Sequence, residues 1–381
     1  MINETILTNA VIVSATETFP GSVVVRDGAI ASVEPGRSAV GGAIDLEGDY
    51  LLPGLVELHT DNLEKHVAPR PSVRWPMRGA VLAHDAQVAA AGITTVFDAL
   101  TVCEVRDNPV RADMLQEATA AIGAAQRDGL LRAEHFLHMR CEVGHAAVVE
   151  IFQTFLDDPL LRLVSLMDHT PGQRQFATIE KYFEYYEGKF GYTRAEMSEL
   201  VGQRLAEQEL FANKHRRALA GMCAMHRLPT ASHDDATIAH IDEAVGFGLT
   251  IAEFPTTCEA AMAARARGMA VVMGAPNVVR GGSHSGNVSA SDLAAADLLD
   301  ILSSDYVPFS LLQSVFLLHR GIGITLPEAV AKVSSGPARA VGLADRGEIA
   351  TGKRADLVQV HLAADDTPVV RQVWRGGRRT V

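Results

Sequence analysis

The sequence predicts an α/β protein: a (β/α)8 TIM barrel carrying a small β-sandwich domain formed from both chain ends. Three observations predict it. Between residues 53 and 342, eight short apolar runs alternate with Ala-rich helical stretches, the pattern of repeated βα units around a parallel sheet. Both ends of the chain instead read as short strands broken by glycine turns. Histidines and carboxylates recur where the apolar runs stop, at the end of barrel strands where catalytic groups collect. An open doubly wound sheet is the competing architecture.

The first 52 residues contain TILTNAVIVS and GSVVVRDGAIASVE, rich in Val and Ile, with Asp27-Gly28 as a hairpin turn that needs positive φ. Residues 343–381 repeat this texture in GEIATGKRADLVQVHL and PVVRQVWRGGRRTV, so 1–52 and 343–381 are expected to share one domain. Within 53–342 the expected strands are GLVELHTD, ITTVFDAL, AEHFLHMRCEV, RLVSLMDHT, LPTASHDD, LTIAEFPT, AVVMGAPN and LDILSSDY. Helices are expected over 84–91, 110–128, 146–156, 194–227, 236–246, 257–267 and 290–299. The aromatic stretch 171–193 exceeds an ordinary βα connection and is expected to act as a lid or substrate-contacting insertion.

Composition narrows the partners. The chain has 381 residues, 48% of them hydrophobic, enough for a large core. Its formal charge of 34 − 46 = −12 argues against nucleic acid and anionic membranes as partners, but not against an anionic small molecule held by local arginines and metals. Cys103, Cys141, Cys223 and Cys258 form no CxxC pair and read as reduced thiols. The N-terminal segment has no basic start followed by an apolar run, and no apolar run of about 18 residues occurs, so a cytoplasmic location is expected.

The chemistry starts at Leu58-His59-Thr60-Asp61. Two residues apart on a strand, His59 and Asp61 share a face, and imidazole with carboxylate suits a divalent metal. Other strand ends supply Glu142, His169, His233 and Asp305. Taken singly, each has an ordinary reading: a strand-end ion pair for Glu142, a satisfied histidine for His169 or His233, a helix cap for Asp305. Six such residues on one rim suffice for two metals. Asp234 and Asp235 either orient His233 or cap the helix beginning near Ala236, and His240 reads as a helix-face residue. Met222 and Met273 read as core.

LPGLVELHTD (52–61) and GEIATGKRADLVQV (347–360) resemble the opening LPGLVDxHxH and closing GxIxxGxxADLVxxD of the amidohydrolase superfamily. The resemblance spans essentially the whole chain. It departs from the pattern at Asp61, where a second histidine is usual, and at Glu253, since no histidine ends the sixth strand. It implies a metal-dependent hydrolase. In it His59, Asp61 and Asp305 hold one divalent ion, His169 and His233 another, Glu142 bridges, and Asp305 moves the proton. Zinc is the first expectation, with manganese or iron admissible.

Longer blocks, ELHTDNLEKHVAPRP, VSLMDHTPGQRQF, ASHDDAT, AEFPTT and MGAPNVVRGGSHSGNVS, resemble a branch of that superfamily acting on a phosphorylated ribose in phosphonate catabolism. This implies cleavage of a phosphoric anhydride. Arg70, Arg74, Arg174 and Arg280 would then bind phosphate oxygens, and the turn with Ser283, His284 and Ser285 would cradle a phosphate. Lys65 and His66 read as a solvated loop that reaches substrate at most secondarily. The rival readings are hydrolysis of a cyclic amide or an N-acyl amino acid, and a metal-free assembly partner. A homo-oligomer is compatible with all of them.

Overall fold

A computed structural model of the chain describes residues 4–70, 72–103, 109–174, 194–283 and 286–381. The expected lid over 171–193 therefore lies outside the described residues from position 175 onward, as do His284 and Ser285. By its internal packing the chain divides into two compact units. One comprises Met1–Asp98, Ala120–Phe136 and Met273–Val381; the other comprises Ala99–Thr119 and Leu137–Val272.

The N-terminal strands are β1 (Glu4–Val13), β2 (Thr18–Arg26), β3 (Ala29–Pro35), β4 (Ile44–Asp45) and β5 (Tyr50–Pro53). The barrel strands follow: β6 (Leu55–Thr60), β7 (Ile93–Val102), β8 (Glu134–Glu142), β9 (Leu161–Met167), β10 (Thr230–His233), β11 (Ile251–Glu253), β12 (Ala270–Gly274) and β13 (Ile301–Ser303). The chain closes with β14 (Leu357–Leu362), β15 (Pro368–Arg375) and β16 (Arg378–Arg379).

Strands β6 to β13 form one sheet in sequence order, and a parallel bridge between Thr60 and Asp305 joins its two ends. The open doubly wound sheet is excluded by this order and this closure. Each of the eight expected strands is present. Several end short of the expected runs, as β11 and β13 do, and residues 275–277 open the helix Ala275–Arg280 instead of extending β12. Pro276 in its first turn has no N–H to lose, and Gly281 at φ 77° ends it in the left-handed region that favours glycine.

The chain ends form a second, mixed sheet in the order β16-β15-β14-β5-β1-β2-β3, with β4 pairing to β1. Asp27 and Gly28 have φ of 51° and 86°, the doubly positive turn that the Asp-Gly pair predicts. Leu7, Ile12, Val23, Ile30, Leu46, Leu51, Leu357 and Trp374 make its core. β5 pairs with β14, Leu52 opposite Val358, and passes through Gly54 directly into β6. A Cβ at Gly54 would come within 2.8 Å of the Asp356 Cβ, so only glycine lets the chain pass there.

Candidate metal and phosphate site

Within the first unit, the residues after β6 and β13 are locked by backbone bonds. Asp305 N donates to His59 O at 3.1 Å and Asp61 N to Asp305 O at 3.2 Å. The Thr60 hydroxyl also donates to Asp305 O, at 2.7 Å. His59, Asp61 and Asp305 are thereby brought onto two adjoining backbone turns. Asp305 has φ 53°, a left-handed conformation that Asp tolerates better than most residues. It caps no helix: the next one, Ser310–Ile322, has Phe309 at its N-cap. Beneath His59, the fully buried Glu57 accepts from His59 N at 2.6 Å and from the Ser303 hydroxyl at 2.8 Å. Burial pushes the Glu57 carboxyl up to about 7 against these hydrogen bonds.

The second unit holds a more complete cluster. His169 Nδ1 bonds Glu142 Oε2 at 2.9 Å, and the backbone N–H of His169 donates to Glu142 Oε1 at 3.1 Å. His233 and Glu253 are register partners on β10 and β11, with His233 Nδ1 2.7 Å from Glu253 Oε2. Each imidazole is thus held at Nδ1 by its own carboxylate. The Nε2 atoms then lie 3.8 Å (His169) and 3.4 Å (His233) from Asp234 Oδ2. Asp234 Oδ2 is buried and has no hydrogen-bond partner among the described residues. Asp234 is held at φ 55° by its N–H bond to Glu253 O, 2.9 Å.

An orphaned buried carboxylate oxygen is costly. Two imidazole nitrogens beside it complete the donor set that a divalent cation takes, and the carboxylates behind the rings are the customary outer support. The residues therefore fit a metal. Burial works against a charged His169 ring, but the hydrogen bond and charge of Glu142, with Asp234, outweigh it and raise its pKa. A bound cation would displace that proton.

Arg174 is held by two carboxylates. It is 7% exposed, pairs with Asp235 through Nη1, and reaches Glu243 through Nη2 at 2.9 Å. Arg216 binds Asp168 at 2.6 Å and lies 3.5 Å from Glu243. Burial opposes the Asp168 charge, but Arg216, the hydrogen bonds of Thr170 and Gln208 and the charge of Arg174 together outweigh it and hold that carboxyl below its usual range. Asp235 also accepts from the Ser232 hydroxyl, while the next helix is capped by Thr237. Neither Asp234 nor Asp235 caps it.

Residues 75–381 match the amidohydrolase family. The chain belongs to the amidohydrolase family. Among curated relatives, the alpha-D-ribose 1-methylphosphonate 5-triphosphate diphosphatase of Escherichia coli (strain K12) is 48% identical over 98% of this chain and 99% of its own length. Among solved structures, N-isopropylammelide isopropylaminohydrolase from Burkholderia multivorans aligns over 99% of this chain and 98% of that one, with TM-score 0.67 and 17% identity. N-acetyl-D-glucosamine-6-phosphate deacetylase from Mycobacterium smegmatis aligns over 99% and 100%, with TM-score 0.65 and 18% identity. Identities this low establish a shared fold.

On this amidohydrolase the other expected phosphate contacts differ from Arg174 in exposure. Arg70, Arg74 and Arg280 are exposed, and Ser283 is half-buried in the turn after Gly281. Lys65 crosses to the Tyr306 carbonyl and lies 5.2 Å from the centre of the Tyr306 ring. His240 sits on the helix Ile238–Gly246, as expected. Sequence reasoning missed the placement of Asp234 Oδ2 beside two imidazoles and the bond between Glu253 and His233. The signal for Glu253 was its position at a strand end in place of the family's histidine.

A second buried cluster was missed entirely. In the first unit, Asp98 accepts from both His84 (Nε2, 2.8 Å) and His135 (Nδ1, 2.7 Å), and all three are at most 1% exposed. Asp85 lies 3.4 Å from the other nitrogen of His135, and Asn62 lies 3.1 Å from His84 Nδ1.

Proposed function

We propose that this chain hydrolyses alpha-D-ribose 1-methylphosphonate 5-triphosphate to ribose 1-methylphosphonate 5-phosphate and pyrophosphate, in phosphonate catabolism. The observation that carries the proposal is the 48% identity, sustained over 98% of the chain, to the Escherichia coli diphosphatase. The orphaned Asp234 oxygen between two imidazoles supports a metal-dependent reaction.

We assign one divalent ion to His169, His233 and Asp234, and a second to His59, Asp61 and Asp305. Zinc, manganese or iron suit this nitrogen and oxygen set. Such ions, when bound, supply Lewis acidity and make water a nucleophile at neutral pH. Glu142 and Glu253 orient the two imidazoles; the bonds from Glu142 to His169 support this role over that of a bridge. A carboxylate oxygen of Asp305 takes the proton of the attacking water as the α-phosphorus is attacked in line and pyrophosphate leaves. Arg70, Arg74 and Arg280, with Ser283, His284 and Ser285, remain the candidates for phosphate oxygens. The double pairing of Arg174 supports a scaffolding role for it. A small-molecule substrate in the cytoplasm, without nucleic acid or membrane, completes the reading. No described helix is long and apolar enough to cross a membrane.

The test is pyrophosphate release by metal-loaded protein, with GTP, N-acyl amino acids and hydantoins as competing substrates. Release from the ribose triphosphate is expected, and Asp305→Asn should lower kcat by about 10²- to 10⁴-fold with the fold retained. Hydrolysis confined to the amides would replace this reading by that of an amide hydrolase. Near-wild-type kcat in Asp305→Asn would remove Asp305 from the proton step.

A further inference from the structure

Strand register inside the second unit defines one face. His138 Nε2 bonds the Ser165 hydroxyl at 2.9 Å, and Ser165 is the register partner of Arg140. Side chains alternate along a strand, so His138, Arg140 and Glu142 share the face of Ser165. Ala231 pairs with Ser165, which puts His233 on that face, and Glu253 pairs with His233. The opposite face of β8 carries Leu137, Met139 and Cys141, all fully buried.

Arg140 stands between His138 and Glu142 on the polar face. It is half-buried, and its buried Nε has no hydrogen-bond partner among the described residues. The other arginines of this region behave differently: Arg174 holds Asp235 and Glu243, and Arg216 holds Asp168. A guanidinium kept two residues from Glu142 with a buried N–H unmet needs an acceptor. Arg is the side chain best shaped to take a phosphoryl oxygen pair.

We propose that Arg140 is a substrate-contacting residue that binds phosphoryl oxygens of a polyphosphate. The inference rests on the polyphosphate (phosphoric anhydride) reading of the site but not on which phosphate is cleaved. Its test is separable from that reading, because it uses inorganic triphosphate as the probe. Calorimetry on metal-loaded wild type, Arg140→Ala, Arg140→Gln and Arg140→Lys would give Kd for inorganic triphosphate, with metal content and Tm measured on the same samples.

The expected result is a Kd about tenfold or more higher in Arg140→Ala and Arg140→Gln, with partial recovery in Arg140→Lys and unchanged metal content. Should Arg140→Ala fail to fold, Arg140→Gln carries the same expectation with the side-chain bulk kept. Triphosphate affinity within twofold of wild type in a folded neutral variant would overturn the proposal, as would a loss of metal that accounts for the weaker binding. Failure of the wild type to release pyrophosphate from the ribose triphosphate, with this binding pattern intact, would sink the substrate assignment and leave Arg140 as a polyphosphate contact.

Discussion

The His84–Asp98–His135 cluster and the His169–His233–Asp234 cluster contain the same side chains, two imidazoles and one carboxylate, wired in opposite senses. In the first, one carboxylate takes a nitrogen from each ring at 2.8 and 2.7 Å, so the charge is met by hydrogen bonds. In the second, each ring spends its Nδ1 on a separate glutamate, and both Nε2 atoms stand beside an Asp234 oxygen that accepts no bond among the described residues. Composition alone would assign a metal to both. The wiring separates them: the first carboxylate is met by hydrogen bonds, and the second has an oxygen that fits a cation as its partner.

The largest expected effect tests the first cluster. Asp98→Asn leaves two buried imidazoles without their shared anion and should destabilise the protein by about 3–5 kcal/mol in urea unfolding, with metal content per folded molecule unchanged. Loss of metal with normal stability would erase the distinction between the clusters. Glu253→Gln tests the other side. It weakens the anchor of His233, and metal affinity measured by chelator competition should fall about 10–100-fold. An unchanged affinity would show that Glu253 does not orient the ligand.

The smallest effect is a pH dependence. Burial disfavours a charged His135, but Asp98 and Asp85 outweigh it and push the ring from 6.5 up to about 9. A raised folded-state pKa contributes stability that is complete below the unfolded value and lost as pH rises through the folded one. Tm of the metal-free protein should therefore decline between about pH 6.5 and pH 9, and the decline should shrink in Asp98→Asn. Burial also opposes the Asp98 charge, and His135 with His84 holds that carboxyl far below its usual range. Its contribution is present above about pH 4 and lost in acid. A flat profile from pH 6 to 9 would mean that His135 is neutral in the folded state.

The barrel was legible because its strands are short apolar runs with a polar residue at the end, a signal carried by adjacent residues. The same signal reached Glu142, His169, His233 and Asp305. What it missed depends on register. Glu253 supports His233 only because the two are opposite each other on neighbouring strands. Arg174 reads as a phosphate ligand in a loop, yet its partners Asp235 and Glu243 lie 61 and 69 positions away. Charge pairing at such separations has no local trace, so an arginine that binds substrate and one that braces the scaffold look alike in sequence. Asp234 was visible, but the turn that places its oxygen between two rings was not.

The strand that bears His59 continues from β5 across Gly54, and β5 is clamped by β14. Gln359 of β14 bonds Asp49, just ahead of β5, across 310 residues of chain, at 2.8 Å. This contact can form only once residues 49 to 359 have all been synthesised. Closing so long a loop is entropically slow. The segment that carries His59 thus gains the support of β14 only after the intervening chain has been made, which makes this part of the fold one of the longest-range in the molecule.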